Sequence, residues 1–69
     1  MKTYMGIDQY GNHFHGLKHP KEELMAQLPG KCSKMYCDDS QGRTYHCGYC
    51  IGEHWVTLFE VTPFWRLED

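Results

Sequence analysis

The pattern of apolar and polar positions divides the chain into five strand-like runs and one helical run. Residues 3–7 have strand composition and are followed by Asp8-Gln9-Tyr10-Gly11-Asn12, a cluster of turn-forming types. Residues 13–17 then complete an N-terminal hairpin. The period changes after that. Pro20 stands where the first helical residue loses nothing by lacking an N–H. Glu22 and Glu23 follow in the first turn, where carboxylates complement the positive end of the helix dipole. Leu24, Met25 and Leu28 form one apolar stripe, and Pro29-Gly30 ends it. A helix of about two and a half turns is too short to be stable alone, so the stripe must dock on a sheet.

Strand character returns from Lys34 onward. It covers residues 35–38, breaks in a turn at 39–43, resumes over 44–51, and crosses Gly52-Glu53 into residues 54–61. A two-residue loop with glycine first fits a tight hairpin. Pro63 closes the last run. The order β-β-α-β-β-β predicts a small single α+β domain with one short helix packed on an antiparallel β-meander.

The tight hairpin sets an expected register. Ile51 faces His54, Tyr49 faces Val56, Cys47 faces Leu58 and Tyr45 faces Glu60, all on one face. His46, Gly48 and Cys50 share the other face with Trp55, Thr57, Phe59 and Val61. Strict alternation therefore sends Cys47 and Cys50 to opposite sides, while Cys37 and Cys47 can be neighbours.

That matters because four cysteines fall within residues 32–50, spaced Cys32-x4-Cys37-x9-Cys47-x2-Cys50. Two thiolate pairs separated by a hairpin suit tetrahedral zinc. Over residues 32–50 the chain resembles a zinc ribbon, which implies one zinc held by Cys32, Cys37, Cys47 and Cys50, with His46 as a substitute ligand. It departs from that pattern in the x4 spacing of the first pair, in lacking a glycine directly after Cys50, and in a strand pattern that runs through the second pair. The competing expectation is that the cysteines are small buried apolar groups. Cys47-Gly48-Tyr49-Cys50 also resembles the dithiol of thioredoxin-like oxidoreductases. There a helix follows the first cysteine, whereas the residues after this one read as turn and strand.

Size and charge narrow the functional classes. With 69 residues there is room for one core, which at this length rarely supplies more than about 3–5 kcal/mol. Aromatic residues make up 14% of the chain and bring large buried areas per residue ordered. The net charge of -2 and the scattered lysines and arginines lack the basic footprint of a nonspecific nucleic-acid binder. Lys31, Lys34 and Arg43 would carry nucleic-acid contact in the zinc-ribbon reading. His13-x-His15 reads as a pair of edge histidines. The chain has no run of about 20 apolar residues for a membrane span, and its first eight residues have no apolar run of the signal type. A cytoplasmic location with reduced thiols is the resulting expectation. No nucleophile or phosphate-loop motif is present, so the expected class is not an enzyme. The leading reading is a regulator or inhibitor that binds another protein, with Phe64, Trp65 and Arg66 as its anchor.

Overall fold

The computed structural model describes residues 2–61. Its elements are β1 (Thr3–Ile7), β2 (His13–Leu17), α1 (Pro20–Gln27), β3 (Cys32–Asp38), β4 (Thr44–Ile51) and β5 (His54–Val61). The α+β class and the element order match the expectation from sequence, and β3 begins three residues earlier than the strand pattern suggested. The five strands form one antiparallel sheet in the order β2-β1-β5-β4-β3. The first and last strands thus pair near the centre, Thr3 with Val61 through Ile7 with Thr57.

This order explains where the helix lies. β2 and β3 occupy opposite edges, so the segment joining them must cross the whole sheet, and α1 covers one face as it does so. Leu24 seats the helix in a core with Leu17, Ile51 and Val56, all essentially inaccessible to solvent. Tyr4, Phe14, Leu28, Cys32, Tyr49 and Leu58 pack around them. Met25 is not part of the buried stripe. It is 47% exposed, because a helix crossing a sheet at one point can bury only a narrow strip. The start of the helix is braced by Glu23, whose Oε2 accepts the N–H groups of Lys18 and His19 at 2.8 Å. Those two bonds hold the Glu23 carboxyl below its ordinary value.

The β4–β5 hairpin has the expected register from Ile51–His54 through Gly48–Thr57. Gly52 adopts φ 61°, the left-handed region a glycine-first two-residue turn requires. The expected pairs Cys47–Leu58 and Tyr45–Glu60 do not form. β4 pairs with β5 only over Gly48–Ile51, and from Thr57 onward β5 turns to β1. The cause is an irregularity in the β3–β4 ladder. Met35 opposes Gly48 while Tyr36 opposes His46, which leaves Cys47 as an extra residue. A bulge of this kind resets the alternation. Cys47 is thereby carried to the face of Cys37 and away from that of Tyr49. Beyond the bulge, the outer half of the β3–β4 hairpin is a two-stranded arm.

Candidate functional site

The two faces of the sheet differ in chemistry as well as in cover. On the helix face lie the core residues and every charged residue of the strands: Lys34 opposite Tyr49, Asp38 opposite Thr44, and Glu60 opposite Tyr4. On the other face, register places Met5, Ile7, Met35, Cys37, Trp55, Thr57, Phe59 and their neighbours. No Asp, Glu, Lys or Arg of any strand belongs to it. None of the described residues forms a layer over it. Trp55 is 58% exposed and Phe59 47%. Between them runs a shallow groove of about 360 Å³, lined by Ile7, Met35, Cys37, Trp55, Thr57 and Phe59, with Asp8 and Gln9 at its end.

A surface of this composition reverses the usual arrangement. In a one-layer sheet the solvent side normally carries the polar residues of each alternating strand. Here the alternation delivers aromatic, methionine and threonine side chains to solvent. Sequence reasoning placed Trp55, Thr57, Phe59 and Val61 on one face, but their exposure depends on which face the helix covers. Register alone does not fix that choice.

A disulfide sits on this face. Cys37 and Cys47 are joined across β3 and β4, with their Cα atoms 5.8 Å apart. It lies where the arm leaves the sheet. A two-stranded ribbon is marginal alone, so a covalent link at its base has a clear structural use. Cys32 and Cys50 are free thiols. Cys32 packs at the border of the core, whereas Cys50 lies opposite Ser33 and Trp55 on the uncovered face. The four proposed ligands therefore do not converge: two are bonded to each other and two lie on opposite sides of the sheet. Among the described residues, no three His, Cys, Asp or Glu side chains are grouped to hold a metal ion. His46 is engaged otherwise, with Nε2 2.7 Å from the Gly48 carbonyl and its ring between Tyr36 and Tyr49.

The end of the groove is rigid. Asp8 Oδ1 accepts the N–H groups of Tyr10 and Asn12, and Oδ2 accepts from the Asn12 amide at 2.9 Å. His54 Nδ1 lies 3.3 Å from the same oxygen. Burial alone would raise the Asp8 carboxyl, but these bonds outweigh it and bring the pKa down to about 2. Gln9 then bridges to the β4–β5 hairpin, donating to the Glu53 carbonyl and accepting from the Trp55 N–H. Trp55 is held at its backbone while its ring stays free.

A second hollow, of about 420 Å³, lies beside His54 and is lined by Pro29, Gly30, Gly52 and Glu53. None of the described residues that line it is a Ser, Cys, Thr or Lys. The Asp8–His54 pair joins the β1–β2 loop to the start of β5.

Phe64, Trp65 and Arg66 lie outside the described residues. Among the described residues no helix is long and apolar enough to cross a membrane. Compared with protein-family models, with curated proteins and with solved structures, the chain matches none.

Proposed function

We propose that the chain is a small non-enzymatic binding module, a regulator or inhibitor acting by protein–protein contact, and that its working surface is the uncharged face of the sheet. The observation that carries this reading is the exposure of Trp55 and Phe59 around an apolar groove with no strand charge beside it. Large contiguous apolar patches are rare on free-standing domains and mark contact surfaces. Aromatic side chains in such patches supply most of the energy of protein association. The rigid Asp8–Gln9 loop supports this role, because a preordered surface loses less entropy on binding.

The Cys37–Cys47 bond favours oxidising surroundings for the module, since reduced compartments keep such pairs as thiols. This departs from the cytoplasmic expectation. Thiol titration of natively isolated protein separates the two, with two reactive thiols expected after unfolding without reductant and four contradicting it. The zinc-ribbon reading needs all four thiolates reduced and brought together. Native mass with and without a chelator distinguishes it, because the binding module shows no metal-dependent shift.

The direct test of the function is a photo-crosslinking residue at Thr57, at the centre of the face, with a control at Met25 on the helix. In extract of the source cells, a discrete polypeptide adduct from position 57 and none from 25 is the expected result. Adducts from neither position, or equally from both, contradict the proposal.

A further inference from the structure

We infer that the occupant of the uncharged face is a second copy of this chain, packed face to face so that the two sheets form a sandwich about a two-fold axis. The inference rests on the reading of this face as a protein-binding surface and names its partner.

Three observations favour a second copy. The first is charge. A surface meeting its own copy must tolerate each of its residues near an identical set, and like charges brought together are strongly unfavourable. The absence of Asp, Glu, Lys and Arg from the strand positions of this face, which carries His13 opposite Ile7 on its edge strand, lowers that obstacle. The second is shape. An isologous contact requires one patch to carry both projections and a recess. Trp55 and Phe59 project beside a groove floored by Ile7, Met35 and Thr57, so each copy offers both parts.

The third is area. Five strands of five to eight residues, spaced about 4.8 Å apart and rising about 3.3 Å per residue, present a face of about 500 Å². Two such faces bury about 1,000 Å² in total, the lower bound for a specific interface. Two sheets with the same twist stack about 10 Å apart with interdigitating side chains. The association also adds a second apolar layer to a domain whose core, among the described residues, has four fully buried large side chains.

Sedimentation of the full chain in oxidising buffer, from low micromolar to submillimolar concentration, tests this. The expected result is a monomer–dimer equilibrium. Trp55→Glu should weaken it by about 30-fold or more, the effect of losing an anchoring aromatic, whereas Met25→Glu should leave it unchanged. Phe59→Ser serves as a second variant should Trp55→Glu fail to fold. A dimer indifferent to both substitutions on the face overturns the inference, as does a monomer throughout. In the monomer case an apolar fluorescent dye separates the causes. Dye binding that Trp55→Glu abolishes means the face is free for a different polypeptide, so the functional reading stands without the homodimer. No dye binding means the chain covers the face itself, and both readings fall.

Discussion

The two faces of the sheet are made by the same five strands and differ in nearly everything else. The helix face holds Leu17, Leu24, Ile51 and Val56 out of solvent and sends its strand charges to the rim. The opposite face has comparable apolar content, no strand charge and no covering layer among the described residues. Apolar surface in water is unfavourable at about 25 cal/mol per Å². A face that keeps Trp55 and Phe59 in solvent therefore forgoes the stabilisation that covering them would bring. The covered face accounts for folding, and the bare one is the surface we propose for association.

The sharpest way to break this comparison is to cut the same kind of side chain from each face. Leu24→Ala opens a cavity in the covered core and should cost about 2–5 kcal/mol. That approaches the whole stability of so small a domain, and the cooperative thermal transition should disappear. Phe59→Ser should leave the transition in place and affect association alone. If the two variants lost stability equally, the faces would not have separate roles.

The disulfide supplies the next largest effect. Closing a loop of about ten residues restricts the unfolded chain by about 3 kcal/mol. The Cys37→Ser/Cys47→Ser double variant should lower the denaturation midpoint accordingly. Amide exchange should rise most in the arm beyond the bulge and least in β1 and β5. Uniform exchange throughout would mean that the bond does not brace the arm. Gly48 tests the junction between arm and sheet. A Cβ there would collide with the Val56 carbonyl oxygen and crowd Thr57, so Gly48→Ala should destabilise by about 1–3 kcal/mol and disturb the β4–β5 register. An unchanged spectrum around Val56 would contradict the close approach.

Two loops built alike allow a finer comparison. Asp8 and Asp39 each accept through Oδ1 the N–H groups two and four residues on, and each is followed at the third position by a glycine with positive φ. Only Asp8 is buried and tied to His54. Its folded pKa of about 2 lies below the ordinary 3.8, so the folded state binds fewer protons in that window. The resulting stability is complete above about pH 4 and is lost as pH falls toward 2. Acid titration of Asp8→Asn should flatten that part of the stability profile relative to the unsubstituted chain. A profile that Asp8→Asn leaves unchanged would show that the bonds from Tyr10, Asn12 and His54 do not hold this carboxyl ionised.

Much of the fold was legible because its signals are local. Pro20 marks the helix start, Gly52 the tight hairpin, and the two Asp-x-x-Gly stretches the loops they form. That Cys37 and Cys47 can be neighbours was read from the alternation, but the face they share and their bond depend on the bulge. The pairing of β1 with β5 joins residues about fifty positions apart, and no local preference encodes it. The bulge at Cys47 was equally hidden. A single extra residue left His46, Cys47 and Tyr45 looking like an ordinary alternating strand, and it moved Cys47 to the other face. Met25 misled because a short helix crossing one sheet buries less of its stripe than periodicity implies. The candidate surface was half visible. Trp55, Thr57 and Phe59 were grouped correctly, while their exposure depended on the path of α1.

The central claim is that the uncharged face is covered when the protein does its work. Hydroxyl-radical labelling read by mass spectrometry measures this directly at Trp55, Phe59 and Met35, with exposed Met25 on the helix as internal reference. As protein concentration rises, or in extract of the source cells, labelling at the three face residues should fall relative to Met25. Labelling at all four positions in a fixed ratio under every condition would contradict the account.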